Sequence, residues 1–456
     1  MLREGVLVVA LRSRRLEGLF GCSPFDALTA RHVRGLVESG AQEAFDLDFK
    51  ATTYGRREQD HRALAGDVAA LANTAGGAIV IGIEEDDQAR AASAPGIEIT
   101  DGEVARIRQV VASLTAPMPT LDIIPLFDDE PQNERGFLVL AVPRSPGAPH
   151  AVLINEGLRY PKRNGATTRY LSEPEVAMAY RERLSGVAQQ NQRILDVEKA
   201  AMARLNRDEP WVLVALVPDV TGELDISASS FAEFQRAVVG AHTTVIEGMT
   251  TYARASVGQR CLLANDNIDN ARTAYRAFLQ LHSDGSGAYG HRLHSIAAQQ
   301  LGGRTEEEGP FLIWDELLVL CVISGLLRLA RNARDDAAAS GNTFVRAQLI
   351  SATNDRIVEI GHSRSHGFAE SRSIALTLPI EPAEIATSLD DLAQEGPPLL
   401  ATAAALVDEL GQAFGVTELG QLTRDGKIRR PYWSPRAWQQ PLADWALQNG
   451  ITVLDG

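Results

Sequence analysis

The stretch from Glu43 to Glu85 constrains the fold of this chain more than any other part of the sequence. It contains an uninterrupted apolar run from Ala78 to Ile83, which is followed directly by the four acids EEDD. A short apolar run that follows a turn signal is typical of a buried β-strand. A buried strand that ends in carboxylates delivers them to the rim of a sheet, where oxygen ligands can hold a cation.

The first part of the same stretch, EAFDLDFK, alternates between apolar and charged residues. Side chains of a strand alternate between its two faces, so this pattern predicts a half-buried strand with one polar side. On a regular strand, Glu43 would point to the same side as the apolar residues, because it lies an even number of positions from them. It can join the acids only if it lies before the strand or at a bulge. The polar side carries Asp46, Asp48 and Lys50, and the apolar side carries Phe45, Leu47 and Phe49.

A helix is predicted between these two strands, from about His61 to Asn73, because apolar residues recur there at helical intervals. Gly76-Gly77 is expected to end this helix, since glycine adopts the left-handed turn and permits a close approach of the backbone. Asn73 and Thr74 are interpreted with these glycines as a helix cap and turn, and direct contact with a phosphate is the alternative.

The composition is that of a globular protein with two or three domains: 456 residues, 45% apolar and 23% charged. A net charge of −15 argues against a protein that coats nucleic acid indiscriminately, but it is compatible with a local basic groove. The three cysteines lack the paired spacing of a zinc site or a disulfide framework. The apolar patch Gly5 to Leu11 is too short to span a membrane, and we expect a cytoplasmic protein.

The order of predicted elements indicates an α+β protein. An N-terminal extension over residues 1–40 contains a predicted strand at Val6 to Leu11 and a predicted helix at Ser23 to Glu38. Residues 41–186 form one α+β unit of mixed sheet and helices. It includes a predicted hairpin, whose strands are Leu121 to Phe127 and Phe137 to Val142.

The remainder of the chain is predicted to be a second α+β domain. A linker helix over residues 187–207 leads into it, and the domain itself occupies residues 208–456. Its most apolar segment, Phe311 to Ala333, is interpreted as a core helix because Asp315 and Glu316 interrupt it. No motif in this part identifies its function, and we expect a sensor or regulator.

Several short motifs occur in a fixed order between residues 41 and 186. They are Glu43…Asp48-Phe49-Lys50, Ala72-Asn73-Thr74-Ala75-Gly76-Gly77, Ile81-Gly82-Ile83-Glu84-Glu85, Tyr160-Pro161-Lys162-Arg163-Asn164-Gly165 and Thr167-Thr168-Arg169. Together they resemble the AlbA-like domain of the Schlafen family, and the ANTAGG and YPKRNG pieces in combination are fairly specific. The resemblance covers about a third of the chain and implies an AlbA-like fold for it.

The resemblance implies two kinds of activity. Family members with an intact acidic triad are metal-dependent endoribonucleases that cut structured RNA such as tRNA, and others are nucleotide-binding or DNA-binding regulators. Matched by position, the first two acids of the triad are Glu43 and Asp48, and the third is Glu85 or Glu84. This chain departs from the family at Asp48, where Glu is usual, and at Glu84-Glu85, where Asp is usual.

These four carboxylates are the predicted ligands of Mg²⁺ or Mn²⁺, because a cut phosphodiester needs a hard cation to stabilise the charge that develops on it. Lys50 is predicted to neutralise part of that charge in the transition state. A competing interpretation is that the acids are solvated residues of an edge strand and a loop. The predicted catalytic residues are Glu43, Asp48, Glu85 and Lys50, and the predicted metal ligands are Glu43, Asp48, Glu84 and Glu85.

Basic residues concentrate in two short segments of the same unit and predict a groove that grips phosphates, with scattered surface charge as the alternative. They are Arg56, Arg57, Arg159, Lys162, Arg163 and Arg169.

The sequence therefore predicts a metal-dependent endoribonuclease that acts on structured RNA such as tRNA. The alternative is a regulator without nuclease activity that binds DNA or a nucleotide such as ATP. Longer relatives carry two such lobes in tandem, so the resemblance implies that a chain with one lobe forms a homodimer. It also implies a role in growth arrest or defence against phage.

Overall fold

The computed structural model describes most of the chain and divides it into two compact units. The described residues are Leu11, 13–22, 25–128, 135–205, 210–246, 250–267, 276–293, 310–351, 357–363, 369–371, 373–434 and 439–455. Unit 1 comprises Met1–Gln189, and unit 2 comprises Gln190–Gly456. None of the helices within the described ranges has the length and apolar character needed to cross a membrane.

Unit 1 combines helices with a mixed sheet, so the predicted α+β class is confirmed. Its helices are α1 (Arg14–Phe20), α2 (Ala30–Glu38), α3 (Glu58–Ala72), α4 (Asp101–Leu114) and the first part of α5 (Glu173–Met202). Its strands are β1 (Leu47–Lys50), β2 (Gly76–Ile81), β3 (Glu84–Glu85), β4 (Ala91–Ser93), β5 (Ile97–Glu98), β6 (Thr115–Ala116), β7 (Asp122–Phe127), β8 (Arg135–Pro143), β9 (Ala151–Ile154), β10 (Gly157–Arg159), β11 (Pro161–Asn164) and β12 (Thr167–Tyr170).

The main sheet of unit 1 has five strands in the order β1-β2-β8-β5, with β7 also paired to β8. β1 runs parallel to β2, and the other pairs are antiparallel. The antiparallel pairing of β7 with β8 confirms the predicted hairpin. The smaller sheets of unit 1 are β10-β9-β6 and the two-stranded pairs β3-β4 and β11-β12.

Helices cover both faces of this main sheet, which explains why β2 is apolar without alternation. Ala78 and Val80 pack on one side with residues of α1 and α2. Ile79 and Ile81 pack on the other side with residues of α3 and α4. Every residue of β2 is buried, as expected for a strand with both faces covered.

β1 is an edge strand with one apolar face. Leu47 and Phe49 join the core that contains α1 and α2. Side chains alternate along a strand, so Asp48 lies on the opposite face, which α3 covers. The strand is shorter than predicted, because Phe45 and Asp46 belong to a turn that precedes it. Phe45 is exposed, and its ring lies 5.6 Å from the guanidinium of Arg15.

The N-terminal extension differs from its prediction. The predicted strand at Val6 to Leu11 lies outside the described residues except for Leu11, which is buried. The predicted helix from Ser23 begins later, at Ala30, after a 3-10 turn at Phe25–Ala27. The reason is the cap at Thr29, which has extended backbone and whose N–H donates to His32 Nδ1 at 3.1 Å.

Unit 2 is also α+β. Its helices are the rest of α5, α6 (Ala228–Val238), α7 (Asp315–Arg331), α8 (Leu389–Ala393), α9 (Pro397–Ala413) and α10 (Gln439–Gln448). Its strands are β13 (Trp211–Val220), β14 (Arg254–Gly258), β15 (Cys261–Asn265), β16 (Ala277–His282), β17 (Gly287–Arg292), β18 (Phe311–Trp314), β19 (Ser340–Ile350), β20 (Ile357–Ser363), β21 (Ala369–Ser371), β22 (Leu376–Thr377), β23 (Ala383–Ser388), β24 (Ile428–Arg429) and β25 (Val453–Leu454).

The core of unit 2 lies between α7 and a seven-stranded antiparallel sheet of order β14-β15-β16-β17-β13-β19-β23. The predicted apolar helix from Phe311 begins four residues later, because Phe311–Trp314 form β18 in a parallel pair with β20. Asp315 opens the helix, and its Oδ1 accepts a hydrogen bond from the N–H of Glu316 at 2.7 Å.

A buried carboxyl on α5 forms an ion pair inside unit 2. Glu198 is 3% exposed, and its Oε2 lies 2.9 Å from Arg346 Nη1. Arg346 also pairs with Glu384, at 2.9 Å. Burial raises the pKa of Glu198 to about 7, with Glu384 adding to the shift and Arg346 opposing it.

We expect this carboxyl to stabilise unit 2 in acid and to lose that contribution as the pH rises from about 4.5 to about 7. The folded state holds the proton more tightly than the unfolded state in this window, so the loss should be on the order of 3 kcal/mol. Urea unfolding on either side of the window measures it, with Glu198→Gln as the variant that cannot titrate. An identical pH dependence in parent and variant would contradict the assignment.

Candidate functional site

The candidate site lies at the end of β1, on the side of the sheet that α3 covers. Asp48 is its centre and is only 4% exposed. Its Oδ1 accepts a hydrogen bond from Arg163 Nη1 at 2.9 Å, and its Oδ2 accepts one from Lys50 Nζ. Both carboxylate oxygens of Asp48 are therefore paired with cations of the protein itself.

Arg163 connects the β11-β12 hairpin to this centre. Its side chain is 3% exposed, and Nη2 donates to the carbonyl of Ala44 at 3.0 Å. The backbone N–H of Arg163 donates to Thr74 Oγ1 at 3.0 Å. This placement corrects the prediction that Arg163 grips a phosphate, because the guanidinium is buried and engaged by Asp48.

Glu43 lies before β1, which is one of the two placements expected from its position in the alternating pattern. A tight turn from Ala44 to Leu47 separates it from the strand, and its Oε1 accepts a hydrogen bond from the N–H of Phe49 at 2.6 Å. Burial raises the pKa of Glu43, and the negative charges of Asp48 and Glu85 raise it further. The Phe49 N–H and the Lys50 ammonium oppose that shift.

The two candidates for the third acid have different surroundings, although both are exposed on β3. Glu84 Oε2 accepts a hydrogen bond from Ser93 Oγ at 2.7 Å and thereby joins β3 to β4. Glu85 lies close enough to Glu43 for its charge to act on that carboxyl. Of the two acids, Glu85 is therefore the stronger candidate for the third acid of the predicted triad.

The carboxylates do not form a metal site as they stand. Within the described part of the chain, no group of three or more His, Cys, Asp or Glu side chains is arranged to hold a metal ion. The negative charge of Asp48, which a divalent cation would otherwise balance, is already balanced by Arg163 and Lys50. The described residues therefore do not fit the Mg²⁺ or Mn²⁺ site predicted at Glu43, Asp48, Glu84 and Glu85.

Two residues of this cluster were not predicted from the sequence. Asp67 of α3 accepts a hydrogen bond from Tyr54 Oη on its Oδ2 at 2.8 Å. Burial raises the pKa of Asp67 and the charge of Asp48 adds to it, whereas Lys50, Tyr54 and Arg163 oppose it. The sequence contained one signal for Asp67. It lies three residues after Leu64, and this helical spacing puts it on the apolar side of α3.

Lys50 remains charged in this setting. Burial opposes its ammonium charge, but three nearby carboxylates outweigh that effect and raise its pKa above the ordinary value. They are Asp48, Asp67 and Glu43. The cluster is therefore a network of opposite charges in which the acids and the cations stabilise each other's charged forms.

The other predicted basic residues lie nearer the surface. Arg56 and Arg57 are exposed before α3, and Arg159 is exposed on β10. Lys162 and Arg169 are opposite one another in the β11-β12 register. Arg169 also makes two hydrogen bonds to Glu175, at 2.7 and 3.0 Å, which partly neutralise it.

The ANTAGG segment has a structural role. Asn73 Nδ2 donates to the carbonyls of His150 and Pro161, at 2.9 and 2.8 Å, and its Oδ1 accepts from the His150 N–H at 2.7 Å. The helix ends at Ala72 with Asn73 as its cap, so the glycines do not end it as predicted but begin β2. A Cβ on Gly77 would lie 2.4 Å from the carbonyl oxygen of Asp46, which is the close backbone approach that was expected.

Comparison with known proteins identifies this part of the chain. Residues 43–172 match the family model described as Schlafen, AlbA_2, and this confirms the resemblance carried by the motifs. The segment is a Schlafen AlbA_2 domain, and that family is linked to nucleic-acid binding or nuclease roles. No protein of curated function matches the sequence.

Solved structures are similar over part of the chain, and one of them illustrates the extent of the match. It is the crystal structure of the DIP2311 protein from Corynebacterium diphtheriae, with 22% sequence identity and a TM-score of 0.23. The match covers 33% of this chain and 32% of that one, so it spans about a third of the solved protein.

Proposed function

We propose that unit 1 binds structured RNA and that its acidic cluster is a structural network of ion pairs. The observation that carries the proposal is the pairing of Asp48 with Arg163 and Lys50, in which each carboxylate oxygen already accepts a hydrogen bond from a cation of the protein. A buried acid without its cations would be strongly unfavourable, so the network favours its present arrangement over an empty metal site.

The surface cations of unit 1 support the nucleic-acid part of the proposal. Arg159 and Lys162 lie on consecutive strands, and Arg56 and Arg57 lie in one exposed loop. None of these four side chains forms an ion pair among the described residues. In a chain with a net charge of −15, such unpaired cations are available for phosphates.

The binding arm of the test uses fluorescence anisotropy with a labelled tRNA transcript. Charge removal at Arg159→Gln or Lys162→Gln should weaken binding and reduce the slope of log K against log salt by about one for each phosphate that is no longer neutralised. The matched control is Arg31→Gln, an exposed cation on α2, which packs on the opposite face of the sheet. Equal effects in all three variants would mean that only net charge matters and would contradict a local site.

A metal-dependent endoribonuclease, the function predicted from the sequence, is the second candidate. The observation that favours it is that the negative charges of Asp48 and Glu85 both raise the pKa of Glu43, so each of these acids is within electrostatic reach of it. Incubation of tRNA with the parent protein, with Mn²⁺ or with EDTA, separates the candidates. Uncut RNA in both conditions supports the first proposal.

Cleavage that requires Mn²⁺ and disappears in Glu85→Ala would overturn the first proposal in favour of the second. Glu85 suits this variant because its side chain is exposed and its removal leaves the buried ion pairs intact. If the parent binds no RNA but binds duplex DNA or ATP, the regulator predicted as the alternative is supported instead.

A further inference from the structure

Two tyrosines of unit 1 form a pair that the core does not use. Tyr160 lies between β10 and β11, and Tyr180 lies on α5. Their rings meet edge to face, with centroids 6.2 Å apart and planes at 80°, and their hydroxyls are 3.3 Å apart. Tyr180 is 38% exposed, and neither ring belongs to any of the hydrophobic cores.

The pair is held in place from both sides. The carbonyl of Tyr160 accepts a hydrogen bond from the N–H of Leu171 at 2.8 Å, which fixes the chain at the end of the β11-β12 hairpin. Glu175 Oε2 accepts from the Ser172 N–H and hydroxyl, each at 2.9 Å, and these contacts fix the start of α5. A surface aromatic pair that is held on two elements loses little conformational freedom when a ligand binds.

Four cations are close to the two tyrosines in the sequence, two near Tyr160 and two near Tyr180. Arg159 precedes Tyr160 directly, and Lys162 follows two residues later. Arg181 and Arg183 follow Tyr180, and Arg183 shares its side of the helix because it is three residues further on. None of the four has an ion-pair partner within the described ranges, and the acid interspersed among them is Glu182.

We infer that Tyr160 and Tyr180 form a stacking platform for unpaired bases of an RNA strand, with the four cations on its phosphates. The inference rests on the proposed function and specifies its ligand: an RNA with a single-stranded segment rather than a continuous duplex. Bases inside a duplex have no free face, whereas an unpaired base presents one to an aromatic ring. The cations alone would bind single-stranded and duplex RNA alike, so the tyrosines are the residues expected to distinguish between them.

The test compares an RNA hairpin that carries an unpaired 3′ tail with the same hairpin made blunt, by fluorescence anisotropy at one salt concentration. Tyr160→Leu and Tyr180→Leu should each weaken binding of the tailed RNA by about tenfold and leave the blunt hairpin nearly unchanged. The matched controls are Tyr160→Phe and Tyr180→Phe, which keep the ring without its hydroxyl, and they should retain the preference for the tail.

A second readout does not depend on the variants. A 4-thiouridine placed in the tail should cross-link on irradiation to the peptide that contains Tyr160 or Tyr180. Leucine variants that bind the tailed RNA as the parent does, or that bind both RNAs equally poorly, would overturn the inference while the proposed function stands. A parent protein that binds neither RNA would overturn the proposed function and the inference with it.

Discussion

Replacing Arg163 with methionine should lower the free energy of unfolding by about 3–5 kcal/mol, one of the two largest effects expected for a single residue of unit 1. The variant leaves the Asp48 carboxylate buried, with Lys50 as its remaining direct partner. It also removes the donor to the Ala44 carbonyl, which lies at 3.0 Å. Breaking a buried pair from one side costs more than the pair contributes, because the remaining charge is neither solvated nor matched.

Urea denaturation followed by circular dichroism measures this change, and the same hairpin offers a matched control. Arg169 also forms an ion pair, with Glu175, but both side chains are substantially exposed. Arg169→Met should therefore cost no more than about 1 kcal/mol. Equal costs for the two variants would show that the Asp48 pair is not effectively buried.

The double variant Asp48→Asn/Arg163→Met provides a further check on the same pair. Removing both charges leaves no isolated buried ion, so the double variant should be more stable than Arg163→Met alone. A double variant that is less stable than the single one would mean that the two residues act independently.

Gly77→Ala should lower the free energy of unfolding of unit 1 by about 2–5 kcal/mol. Gly77 has a φ of +155°, and a Cβ there would lie 2.4 Å from the Asp46 carbonyl oxygen. The contact is with backbone rather than with a flexible side chain, so β1 and β2 must move apart to accept it. That movement disturbs the Ala78 N–H bond to the Asp46 carbonyl, which is 2.9 Å long.

The control for this variant is Gly66→Ala on α3. A Cβ at Gly66 meets nothing within 4 Å, and the residue lies in a regular helix. Alanine should therefore stabilise this position by about 0.5–1 kcal/mol. Thermal unfolding of the two variants should shift in opposite directions, and a destabilised Gly66→Ala would contradict the open space around that position.

The main sheet of unit 1 was predictable because its signals are local. The apolar run Ala78 to Ile83 allows little other than a strand with both faces covered, and two adjacent strand patterns predicted the β7-β8 hairpin. Unit 2 was less predictable, since the apolar segment from Phe311 contains both β18 and α7. Periodicity cannot divide a segment in which nearly every position is apolar.

The pairing inside the candidate site was not predictable from such signals. Asp48 and Arg163 are 115 residues apart in the chain, and no spacing rule connects them. The motifs assigned Asp48 to a metal and Arg163 to a phosphate, because each residue type suits that ligand when it is considered alone. In the fold, Asp48 and Arg163 instead pair with each other. Their pairing depends on the packing of β11 against the end of α3, where the Arg163 N–H donates to Thr74.

The ion pair also fixes the register of the β11-β12 hairpin. Lys162 and Arg163 are neighbours on one strand and therefore point in opposite directions, one toward solvent and one toward Asp48. A slip by one residue would turn the arginine outward and bring in a lysine, which lacks the two guanidinium nitrogens that bond Asp48 and the Ala44 carbonyl. By fixing the register of the hairpin, the buried carboxylate of Asp48 determines which of its positively charged side chains point to solvent.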